Sequence, residues 1–138
     1  MSIVQTQTTS FKKQLYQGIH DLSTDTIYIA LYTAAADLNA DTTVYSSTNE
    51  VVATGYTAGG QIMTGVAISS DGYTAYVNWA NVSWTSALTA RCALIYNVTQ
   101  GNKSVAVLDF GSDKTSTTTF TITMPSNTST TALIRSSN

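Results

Sequence analysis

The chain has 138 residues and a net charge of −2, enough for one domain with a core of its own. Its six basic residues are spread along the chain, which excludes the dense basic patch that nucleic acid or an anionic membrane surface requires. Only 10% of residues are charged, so solubility rests on 25 Thr and 16 Ser, and the β-branched Thr favours sheet over helix.

Residues 1–9 are polar and unpatterned and read as a flexible N-terminal arm, followed by a single domain over residues 10–138. Ser10 suits a helix N-cap, and Phe11, Leu15, Ile19 and Leu22 then recur at helical spacing. That predicts an amphipathic helix over 11–22 with Lys12, Lys13 and Gln17 outward, weakened by Gly18. Thr26 to Thr33 holds a strand with Ile27, Ile29 and Leu31 on one face and Tyr28 and Tyr32 on the other. Residues 34–50 read as a long loop, the kind that serves function or is ordered by a partner. Gly55-Tyr56-Thr57-Ala58-Gly59-Gly60 reads as a turn.

Further strands are predicted at 61–69, 73–79, 82–84, 90–97, 104–110, 117–124 and 132–135, with Asp71-Gly72 as a hairpin turn and Gly101, Asn102 and Lys103 in another. Phe120, Ile122 and Met124 should point inward. The fold expected is mainly β: a β-sandwich of about seven to eight short antiparallel strands with one N-terminal amphipathic helix.

Reactive chemistry is sparse. His20 is the sole histidine and sits beside Asp21, with no Gly-X-Ser-X-Gly elbow to serve; it reads as a residue of the helix surface or C-terminus. Cys92, the sole cysteine, excludes an internal disulfide and reads as a buried small hydrophobe. Asp37, Asn39 and Asp41 alternate as in a calcium loop, but Thr42 and Thr48 stand where such a loop needs Gly and Glu. The acids fall at turns, except Asp109 in an apolar strand, for which Arg91 or backbone amides are the expected partners. No catalytic residue, metal site or cofactor follows. Asn81, Asn97, Asn102 and Asn127 each open an Asn-X-Ser/Thr triplet, which a chain this rich in Asn and Thr produces by chance. Tyr73, Tyr76, Trp79 and Trp84 form the one aromatic group that would suit a glycan-facing surface, set against ordinary sheet packing. No 20-residue apolar run is present, and residues 1–5 lack the features of a signal peptide, so the chain is expected to fold in a cytoplasm without a membrane partner.

Taken as a set and in order, Phe11–Leu22, Ile27–Tyr32, Glu50-Val51 with Gly55–Gly60, Val82-Ser83-Trp84, Arg91–Tyr96, Val105–Gly111 and Ala132–Arg135 resemble a family of small structural proteins of tailed bacteriophages. The resemblance spans about residues 10 to 135 and brings no catalytic residue. It implies a non-enzymatic virion component made in the bacterial host. Its favoured form is a capsid decoration (cement) protein that binds the major capsid protein as a homo-oligomer, with a trimer expected. A tail, neck or fibre-associated protein contacting host glycans is the alternative. Ile3, Val4, Phe11, Leu38, Val44, Tyr45 and Tyr56, from the arm, the helix, the long loop and the glycine turn, are the candidate interface.

Overall fold

A computed structural model describes residues 2–137; Met1 of the expected arm and Asn138 at the end of the expected domain lie outside the described residues. In chain order the elements are β1 (Thr6–Gln7), α1 (Thr9–Tyr16), β2 (Ile27–Tyr32), β3 (Gln61–Ile62), β4 (Ala67–Asp71), β5 (Thr74–Asn78), β6 (Val82–Trp84), β7 (Thr89–Asn97), β8 (Lys103–Thr115), β9 (Phe120–Ile122) and β10 (Ile134–Ser136). With 42% strand and 6% helix the molecule is mainly β with one short helix, as expected. The strands divide into a five-stranded sheet, β1-β8-β7-β2-β3, a three-stranded sheet, β10-β5-β4, and the pair β6-β9, and every strand pairing is antiparallel.

The core forms around β2, β7 and β8 because these strands are apolar at both parities. Ile27, Ile29, Leu31, Ala93, Ile95 and Val105 belong to one buried cluster with Trp79, Val82, Trp84, Phe120, Ile122 and Ile134, so the two small sheets cover that face. Ala30, Tyr32, Cys92, Leu94, Tyr96 and Val107 belong to a second cluster on the other face. A register shift between Ile95 and Tyr96 makes Val105 an extra residue on β8, which places Val105 and its neighbour Ala106 in the same cluster. Burying a residue such as Leu94 or Ile95 contributes about 1.5–3 kcal/mol.

The second face is covered by chain without regular structure. Ala36 and Leu38, from the long loop, are buried there with Ile3 and Tyr45 packed beside them. The expected arm is docked: β1 pairs with β8, Leu38 N donates to Ser2 O at 2.8 Å, and Val4 N donates to Leu38 O at 3.0 Å. Arm and loop thus satisfy each other's backbone groups over an apolar sheet face.

The helix is shorter than its hydrophobic spacing suggests. Thr8, two residues before the expected Ser10 cap, accepts from Phe11 N at 3.3 Å. At the other end Gly18 N donates to Leu15 O and Ile19 N to Gln14 O, the paired bonds of a Schellman stop around a glycine at φ +70. Gly18 therefore ends the helix instead of weakening it. Leu15 is exposed, and Ile19, His20 and Leu22 are carried inward by the turn that follows.

The strand expected over 61–69 is two strands at one rim. β3 edges the large sheet, and residues 63–66 bend through Gly65 at φ +66 before β4 edges the three-stranded sheet. Gly72 at φ +59 opens the two-residue turn into β5, with Tyr73 in the turn and not in the strand.

Candidate functional site

The densest polar cluster is built on Glu50, a buried carboxylate at the end of the long loop. Tyr45 Oη donates to Glu50 Oε1 at 2.6 Å. Tyr56 Oη donates to Oε2 at 2.5 Å, and Gly59 N donates to the same oxygen at 2.8 Å. Tyr56 Oη also accepts from Leu31 N at 2.9 Å, which ties the cluster to the backbone of β2. Tyr96 Oη donates to Gly59 O at 2.5 Å, and its ring stacks on Tyr45 at 4.7 Å. Burial, followed by donation to Glu50, raises the Tyr45 and Tyr56 hydroxyls above their ordinary range. Burial first, with Glu50 and Tyr28 adding to it, raises Tyr96 to about 12.

These tyrosines stay protonated and act as donors, so the cluster is a clamp. It fixes residues 45–60 onto the sheet, and three charge-assisted donors compensate the buried charge. Gly60 completes it: a Cβ there would overlap the Ile29 carbonyl, and φ is +83. The glycine run is thus a close backbone approach over β2.

The other chemistry-bearing groups are also held internally. His20 is buried beyond the helix end and not on its surface. Its Nε2 meets Gln14 Oε1 at 2.8 Å, and Asn97 Nδ2 donates to Nδ1 at 3.0 Å. The Asn97 amide nitrogen, which also donates to Asp25 Oδ2, cannot accept a hydrogen bond, so Nδ1 is the acceptor and the ring is neutral with its hydrogen on Nε2. Burial lowers the His20 pKa below its ordinary 6.5, with Asp25 raising it and Lys103 lowering it further. Cys92 is buried, and burial with nearby Asp109 raises its thiol to about 12 against the influence of Arg91. Asp109 accepts from Arg91 Nε at 3.2 Å and from Gly111 N at 2.8 Å, so both expected kinds of partner are used. In the calcium-like loop Asp37 and Asn39 bond within the loop itself, Asn39 Nδ2 donating to Asp37 Oδ1 at 3.1 Å. Among the described residues no three His, Cys, Asp or Glu side chains converge as a metal site would require.

The glycan-facing group does not assemble on the surface. Trp79 and Trp84 are 5% and 4% exposed, and the Trp84 ring packs between Tyr56 and Phe120. Alternating strands hide aromatics as readily as they display them: β6 turns the Trp84 ring inward, and Trp79, just past the end of β5, is buried in the same cluster. Tyr73 lies alone at the hairpin tip, and Tyr76 is half-buried. The candidate interface divides as well. Phe11, Leu38 and Tyr56 are buried in the two clusters and offer no docking surface. Ile3 and Tyr45 are partly buried, while Val4 and Val44 are exposed.

Two surface features have no counterpart among the candidate residues. One is an open groove of about 690 Å³ between β8 and β9, over Leu108, Phe110, Phe120, Ile122 and Met124. The other is the rim, where Ile62, Val66 and Ile68 are exposed along one edge. Between Val51 and Ala90 the sole formal charge is Asp71. That scarcity of charge is the legible signal, since exposed edge strands are usually guarded by charged residues, lysine above all, and β4 carries Asp71 alone. No helix among the described residues is long and apolar enough to cross a membrane. No protein-family model, curated protein or solved structure matches the chain.

Proposed function

We propose that this chain is a non-enzymatic structural protein of a bacteriophage virion, a capsid decoration protein that binds the assembled head shell and stabilises it. In this reading its partners are the major capsid protein and further copies of itself. The observation that supports it best is the separation of polar chemistry from the surface. Glu50, His20, Asn97 and the Arg91–Asp109 pair are engaged with internal partners, while the exposed rim presents Ser, Thr and aliphatic residues with one charge. Such a surface suits broad protein contact through shape and backbone hydrogen bonds, with little dependence on salt. A shell under pressure from packaged DNA is held by many copies of a modest contact.

Quantitative mass spectrometry of purified virions tests this through the copy number relative to the major capsid protein. A ratio near one, or about one to three, is expected for a protein on the head lattice. A ratio below about one to thirty, or absence from the particle, would overturn the head assignment; the low ratio would favour the tail or neck.

A further inference from the structure

We infer that β4 is a docking edge for a second copy of this chain, whose own β4 adds antiparallel to it and joins two three-stranded sheets into one of six strands. The inference does not rest on the virion reading.

β4 is the terminal strand of its sheet, and all five residues, Ala67–Asp71, are exposed. The hairpin dictates which backbone groups are free. Gly72 and Tyr73 form a two-residue turn closed by the Asp71–Thr74 pair, so residues opposite β5 alternate from there between bonded and non-bonded pairs. Asp71, Ser69 and Ala67 direct their N–H and C=O groups at β5. Ile68 and Ser70 direct theirs outward. Only another extended chain presents donors and acceptors at that repeat.

Native sheet edges are usually blunted by lysine, proline or a bulge. Residues 61–73 contain no Lys, Arg or Pro, and the register with β5 runs unbroken from Ala67 to Asp71. Three other edges are less open. β3 and β1 have two residues each, and β10 is engaged by Gln7, whose Nε2 donates to Arg135 O at 3.2 Å.

The occupant follows from self-complementarity. A two-fold axis through Ser69 sets Ile68 opposite Ser70 of the second copy and the reverse, so the outward groups of both strands exchange bonds. Asp71 then falls opposite Ala67, and the two carboxylates stay apart. The paired stretch ends at Asp71 and Ala67, because the chain turns toward β5 beyond Asp71 and bends at Gly65 before Ala67. Ile68, 53% exposed, gains cover from the added strand. A two-fold contact of this kind closes at two copies, in contrast to the threefold association that the resemblance implies.

Light scattering and sedimentation of the purified chain, from about 1 µM to about 1 mM, test the inference. The expected mass is twice 14.7 kDa at the upper concentrations. Ser70→Pro removes one outward donor and leaves the bonds to β5 in place; Ile68→Lys adds the lysine that the edge lacks. Each should raise the dimer dissociation constant at least about tenfold, with the urea midpoint of the monomer nearly unchanged. If Ser70→Pro does not fold, Ile68→Lys is joined by hydrogen exchange, in which protection at the Ile68 and Ser70 amides should rise with protein concentration. A monomer throughout, a trimer, a dimer indifferent to the variants, or concentration-independent exchange at those two amides would overturn the inference.

Discussion

Strands β7 and β4 both pair antiparallel with their neighbours, but β7 is buried on both faces from Cys92 to Asn97 and β4 is exposed at every position. The difference lies in what covers them. β7 has β2 and β8 as lateral neighbours, the small sheets over one face, and the arm and long loop over the other. β4 has β5 alone beside it. Position in the sheet, more than residue type, decides which strand is core and which is available to a partner.

Substitutions sharpen the contrast. The largest effect is expected for Gly60→Ala, where the added Cβ meets the Ile29 carbonyl at a positive φ. A loss of about 4 kcal/mol or more, read as an unfolded or aggregated product, would fit. Ile95→Ala should lower the unfolding free energy by about 2–5 kcal/mol in urea titration. Glu50→Gln keeps the shape but removes the charge that Tyr45, Tyr56 and Gly59 address. A cost of about 1.5–3 kcal/mol is expected, with faster hydrogen exchange over residues 45–60.

His20 sets a pH dependence. Its pKa is lower in the folded chain, so the folded state binds fewer protons than the unfolded one just below pH 6.5. The stability it contributes is fully present above that pH and falls as pH drops toward the folded value. The urea midpoint should decrease between about pH 7.5 and about pH 5.5, and His20→Gln should flatten that part of the slope. The smallest effect belongs to the rim: Ile68→Ala should change monomer stability by no more than about 0.5 kcal/mol. A large loss there would mean that β4 is part of the core and would erase the contrast between the two strands.

Much of this architecture is legible in the sequence. The alternation in Ile27–Tyr32 identifies β2 and both its faces, and the apolar runs at 90–97 and 104–110 locate the central hairpin. Asp71-Gly72 marks the exposed turn. The spacing overextends the helix because Ile19 and Leu22 keep a helical interval from Leu15 after the backbone has left the helix at Tyr16; the stop depends on Gly18, which serves helix interiors poorly and helix ends well. The arm and loop looked free because polar sequence does not reveal that two irregular segments pair with each other. The clamp around Glu50 joins residues 31, 45, 50, 56, 59 and 96, and no local pattern connects them.

By itself, then, the amino-acid sequence determined the mainly β class, the central strands and their faces, the hairpin turn and the scarcity of reactive groups, because these depend on local periodicity, turn chemistry and composition. The tertiary structure alone decided that Trp79, Trp84, Phe11, Leu38 and Tyr56 are interior and that the loop is clamped through Glu50. It also decided that the stretch from 61 to 73, with Asp71 as its one charge, forms an open rim. Those are outcomes of long-range pairing, in which burial is set by the segments that meet a strand face or edge, and a side chain's own identity is compatible with either result.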